Sequence, residues 1–130
     1  DYSKSISNDY FFLNFKKIKK IREKNIIFFF NHLGLKNKIK ISLNQVCGPL
    51  YYPYLSDNGN LLREYLIEKK IFVPRYWSEI LKRKDISKFK FEKYLCKNLV
   101  LLPIDERLNI DHLKNIIKEL VKFEKKFFII

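Results

Sequence analysis

GPLYYPYLSDNGNLLREYLIEKKIFVPRYW, from Gly48 to Trp77, decides the architecture. It reads strand, turn, helix, strand within a single short stretch. Leu50 to Leu55 is an apolar, aromatic run led in by Gly48-Pro49, and Ser56-Asp57-Asn58-Gly59 supplies the turn chemistry that ends it. Leu61, Leu62, Tyr65 and Leu66 then fall on one face of a short helix, with Glu64, Glu68 and Lys69 facing away. Ile71-Phe72-Val73 follows as a β-branched and aromatic strand that Pro74 stops.

Upstream, Phe11, Phe15, Ile18, Ile26, Phe29 and Leu33 recur at helical spacing. They predict a long entry helix over 8–34, with residues 1–7 polar and frayed and Gly34 as the residue that closes it. Arg22 sits in a gap of that stripe. Lys36 to Gln45 is a basic connector with room for a short strand at Ile39–Leu43. Downstream, Ser78–Lys84 and Ser87–Cys96 predict two short helices, and Leu99-Val100-Leu101-Leu102 reads as a buried strand ended by Pro103. A last helix starts after Asn109 as N-cap, with a staple between Leu108 and Leu113. Ile110, Leu113, Ile116, Ile117, Leu120 and Val121 form its apolar face, and Phe127–Ile130 packs back or adds an edge strand. These elements make one α+β domain over 1–130, with its α/β body at 48–122. The expected sheet is three- to four-stranded, mainly antiparallel, and covered by helices.

The formal charge is +13, from 27 Lys and Arg against 14 Asp and Glu. An anionic partner is one reading, and a basic nucleic-acid-binding domain is its sharpest form. Compositional drift is the other. Of the 27 cations 22 are lysines, and the guanidinium that reads bases and phosphates bidentately is scarce, which favours drift. No apolar run approaches the roughly 20 residues of a membrane-crossing helix. Two distant cysteines, Cys47 and Cys96, without metal-ligand spacing, point to reduced thiols and a cytoplasmic setting. The chain contains no Met, so the expectation is a segment of something longer.

Phosphate loops, nucleophile elbows and zinc-protease motifs are absent from the sequence. His32 and His112 sit in separate predicted helices, and Cys47 beside Gly48-Pro49 has no partner pattern. Asp105-Glu106 is either an acid pair or a capping and salt-bridging pair. Alternation places half of Tyr51, Tyr52 and Tyr54 in the core. Tyr76-Trp77, after the proline stop, stands where sites are commonly built, and two readings are open for it: a stacking surface with Arg75 as its cation, or plain core packing. Taken alone, the chain carries no complete catalytic set and no metal site.

The run from strand 50–55 through LLREYLIEKK and IFVPRYW to NLVLLPIDERLNIDHLKNII resembles the C-terminal small domain of the DegT/StrS-type sugar aminotransferases. These are pyridoxal-phosphate (PLP) enzymes of the aspartate-aminotransferase fold class. Pro49–Leu55, Leu62–Lys70, Ile71–Trp77 and Leu102–Leu108 are the matching pieces, and Ile21 to Leu33 resembles the family's entry helix. LLPIDER is the most specific fragment. The resemblance implies a lid and substrate-side wall of an enzyme acting on nucleotide-linked keto sugars. PLP and its Schiff-base lysine would then belong to a separate large domain, and the parent would be a homodimer. Arg22, Tyr76, Trp77 and Arg107 occupy the family's substrate-side positions, so substrate contact is what the resemblance implies for them, with a structural salt bridge as the alternative for both arginines. Ser78 departs from the family's proline, Glu106 from its Gln and Leu108 from its Tyr. The alternative is a stand-alone, non-catalytic binding module derived from such a domain.

Overall fold

The computed structural model describes residues 2–127, with side chains described from residue 14 onward apart from Ile86. The element order is α1 (Tyr2–Leu33), β1 (Tyr51–Leu55), α2 (Gly59–Glu68), α3 (Lys90–Asn98), β2 (Leu99–Pro103) and α4 (Ile110–Phe127), with 3-10 turns at Leu43–Gln45, Ser78–Lys82 and Lys84–Lys88. This is the α+β class with a long N-terminal helix. Among the described residues the sheet has two strands, fewer than expected, paired antiparallel from Tyr51 opposite Pro103 to Leu55 opposite Leu99.

Period-2 alternation sorts the two strands into faces. Tyr52 and Tyr54 lie opposite Leu102 and Val100, and all four are buried. Against them pack Ile26, Phe29 and Leu33 of α1, Leu62 and Leu66 of α2, and Leu113, Ile116, Leu120 and Phe123 of α4. Tyr51, Pro53, Leu99, Leu101 and Pro103 point the other way and are only half-buried. At roughly 25 cal/mol per Å² of apolar surface removed from water, the first face holds the fold together.

The two missing strands have physical reasons. The connector meets the outer edge of β1 ahead of Ile39–Leu43: Asn37 Nδ2 donates to the Pro53 carbonyl at 2.8 Å, Asn37 Oδ1 accepts from Leu55 N at 3.0 Å, and Lys38 N donates to the Leu55 carbonyl at 3.3 Å. Pro53 has no N–H to offer on that edge, so a ladder cannot run through it. At Ile71–Val73, the expected second strand of the opening unit, Ile71 and Val73 are buried and Phe72 is 71% exposed, yet the segment joins no ladder. Ile71 N instead donates to the Leu66 carbonyl at 2.9 Å and Lys70 N to Ile67 at 2.9 Å. This is a Schellman closure of α2, with Lys70 at φ 60° where glycine is usual.

The helices follow their expected spans with shifted ends. α1 extends through the polar segment to Tyr2. Phe15, on the apolar stripe, is 55% exposed, and the described α1 residues of the core, Ile26, Phe29 and Leu33, lie in its last turns; Phe11 lies outside the described side chains. The second short helix begins at Lys90, after a 3-10 turn that includes Ser87. On α4, Asn109 Oδ1 accepts from Asp111 N and His112 N at 3.1 and 3.0 Å, the expected cap. Ile110 is exposed rather than buried, and Glu119 takes a buried place. Its carboxylate accepts from the Tyr65 hydroxyl and Lys122 Nζ, which together hold it below the usual carboxylate range. Phe127 is exposed, and 128–130 lie outside the described residues.

Candidate functional site

Two close-approach glycines fix the geometry around the sheet ends. Gly48, at φ 54°, sits against the Lys19 backbone of α1, where a side chain would be strained. At Gly59 a Cβ would overlap the Asn98 carbonyl, so α2 starts pressed against the end of α3. The first brings the entry to β1 against α1. The second sets α2 beside the junction of α3 and β2.

The exit of β2 is pinned to α1. Buried Asn25 donates from Nδ2 to the carbonyls of Ile104 and Asp105 at 3.0 and 3.2 Å. One turn earlier Arg22 donates from Nε to Glu106 Oε2 at 2.7 Å and reaches the Gly48 carbonyl at 3.4 Å. Arg107 turns back on Asp105 in a two-point pair, Nε to Oδ1 at 2.8 Å and Nη2 to Oδ2 at 3.2 Å. Asp105 is itself buried, while the Arg107 side chain is 83% exposed. Each carboxylate is held below its ordinary range, Glu106 chiefly by the Arg22 hydrogen bond and Asp105 chiefly by that of Arg107. Asp105-Glu106 is therefore a salt-bridging pair, and both acids are ionised partners of arginines.

Tyr76 and Trp77 stand 46% and 57% exposed after Pro74. Trp77 adopts φ 59°, a left-handed conformation that a bulky residue rarely takes. The Tyr76 ring lies 6.0 Å from Trp77 and edge-on to Tyr51 at 6.1 Å. The Tyr76 contact is the chief reason the Tyr51 phenol is raised above its ordinary value.

Two cavities flank the Tyr51–Tyr76 pair. One, of about 260 Å³, lies over the half-buried sheet face; Tyr76, Trp77, Leu95, Cys96, Leu99 and Leu101 form most of its wall, with Arg75 and Glu92 at its edge. Arg75 is hydrogen-bonded to Asn60 Oδ1. The other, of about 340 Å³, lies between the end of α2 and the start of α4 and includes Tyr51, Lys70, Asp105, Arg107 and His112. The structure thus sets Tyr76 and Trp77 together at one cavity and Arg107 at the next. Arg22 lies behind them, committed to Glu106. Sequence reasoning missed Asn25, Tyr51 as the link and Lys70. The first two leave little signal in a single sequence, because a lone Asn on a helical stripe and an alternating Tyr look ordinary. Lys70 carried one, since it fills the closing position of α2 where glycine or asparagine is expected.

No lysine lines the first cavity, and the single acid of the second, Asp105, is taken by Arg107. No step of cofactor chemistry is assigned to these residues. Among the described residues no three His, Cys, Asp or Glu side chains gather as metal ligands, and no helix is long and apolar enough to cross a membrane. Neither a family model, nor a curated protein, nor a solved structure matches the chain.

Proposed function

We propose that this chain serves as the small, lid-forming domain of a PLP-dependent aminotransferase acting on nucleotide-linked keto sugars. In this reading it supplies the substrate-side wall of a cleft and not the Schiff-base lysine. The observation that carries the reading is the Tyr76–Trp77 pair. Two large aromatics remain half exposed, Trp77 on a left-handed backbone, at the mouth of an apolar cavity over the half-buried sheet face. Exposed aromatics beside a strained backbone position at a cavity mouth are where a ring or sugar face is met. The long α1, whose described core residues lie near its C-terminal end, is the shape expected of an element that bridges to a second body.

Within this reading Tyr76 and Trp77 form the contact surface, with Arg75 as the nearby cation. Arg107 would reach substrate only from its exposed face, because its inner face is given to Asp105. Arg22 positions the LLPIDER exit and touches substrate only if Glu106 is displaced. The chain alone is expected to be inactive.

The test is the reading frame immediately upstream of Asp1. It should encode about 250 residues of a large α/β domain with a PLP-binding lysine. A stop codon or an unrelated domain there sinks the proposal and leaves the stand-alone binding module.

A further inference from the structure

The cavity between α2 and α4 carries a charge pattern that the lid reading does not use. Lys69, Lys70 and Arg107 contribute three cations to its lining, and Asp105 contributes the one carboxylate. That carboxylate is fully engaged by Arg107. Lys70 has no ion-pair partner among the described residues. His112 accepts the Asn109 N–H at Nδ1 at 3.2 Å, which leaves Nε2 as its donor. The Lys69 ammonium lies 5.4 Å from the Tyr65 ring centre, so it adds charge at the rim rather than a contact.

A second observation singles out Lys70. It holds φ 60° at the closing position of α2, where a side chain costs about 1 kcal/mol relative to glycine. The closure of α2 thus sets an unpaired ammonium beside the cavity, at a position where glycine would carry none. The floor is apolar, through Ile71, Leu108 and Ile116, and exposed Phe72 stands at the rim. The volume of about 340 Å³ is at the small end of ligand cavities, which suits a small metabolite and not a polymer.

We propose that this cleft binds the phosphate group of a small phosphate monoester, with Lys70, Arg107 and His112 donating to its oxygens and Phe72 against its carbon skeleton. The proposal stands independently of the aminotransferase reading, because it concerns only side chains of this chain and their free donors. Arg107 keeps its pair with Asp105 and offers its remaining N–H groups, so no buried charge is left unpartnered when the site is empty or full.

The experiment is calorimetric titration of inorganic phosphate, and in parallel of glycerol 3-phosphate, into the full chain at fixed ionic strength. Saturable one-to-one binding is expected for both, tighter for the ester. Lys70→Gly removes the ammonium while relieving the left-handed strain. It should weaken phosphate binding by about tenfold or more, with a melting temperature unchanged or raised. His112→Gln should weaken it as well. Lys118→Gln removes the same charge from α4 outside the cleft and should leave the affinity within about twofold, since exposed charges are screened over about a Debye length. Non-saturating heats, full affinity in Lys70→Gly, or equal weakening by Lys70→Gly and Lys118→Gln would each overturn the site.

Discussion

Arg22 and Asn25 lie one turn apart on α1 and grip the same loop, but with different consequences. Asn25 is buried and donates to two carbonyls at the β2 exit. Removing its amide leaves the Ile104 carbonyl without a partner, while the Asp105 carbonyl keeps the Leu108 N–H, so Asn25→Ala should cost about 2 kcal/mol in urea unfolding. Arg22 is partly exposed and pairs with Glu106. Solvent screening holds such a pair to about 1 kcal/mol at most. A double-mutant cycle over Arg22→Ala and Glu106→Ala should therefore return a coupling energy of that size. A coupling near zero would remove Arg22 from its positioning role and restore it as a free cation for substrate. The arginine, which the sequence singles out, is thus expected to matter less to stability than the asparagine it does not. A guanidinium on an apolar stripe is conspicuous in a sequence; an amide that meets two carbonyls some eighty positions away is not.

At the scale of elements, the joints between helices and strands are the sensitive places. The α2 start rests on the Asn98 carbonyl, which is backbone and cannot swing aside. Gly59→Ala should cost about 3 kcal/mol, the upper end of overpacking effects, and lower the denaturant midpoint without changing the slope of the transition. Asn109→Ala, which deletes the α4 cap, should cost about 1 kcal/mol by the same measurement. A loss at Gly59 no larger than that at Asn109 would mean that α2 can slide on α3. The two sites also mark what a single sequence discloses. The Asn109 cap and the β2 span follow from local chemistry and were legible. The number of strands was not, because it turns on whether an extended segment finds a ladder partner. Pro53 and the Asn37 side chain deny one to the connector, and the tight closure of α2 at Lys70 turns Ile71 back to Leu66. The aromatic pair was legible as a strand-end feature, while the Lys70 cleft required α2 and α4 to be brought together across the chain.

For the whole molecule, charge decides how it leaves the native state. Twenty-seven Lys and Arg face 14 Asp and Glu, and the acids are distributed as local partners. Asp57 is held below its usual range chiefly by the Lys38 ammonium, Asp105 by Arg107, Glu106 by Arg22 and Glu119 by Lys122. Each has a folded-state value lower than its unfolded one. The stability each contributes is therefore fully present above the ordinary carboxylate value of about 4 and is lost as pH falls through the lower folded value. Protonating them, with the other carboxylates, also removes the negative charge that offsets a strongly cationic chain, so repulsion adds to the loss. Far-ultraviolet circular dichroism should thus stay flat from neutral pH down to about 4 and fall cooperatively below it. Added salt should move the midpoint to lower pH, because screening weakens the repulsion among cations more than it weakens the short, partly covered pairs. Unfolding between pH 5 and 7, or a salt shift in the opposite sense, would show that groups other than these carboxylates hold the balance of charge in this fold.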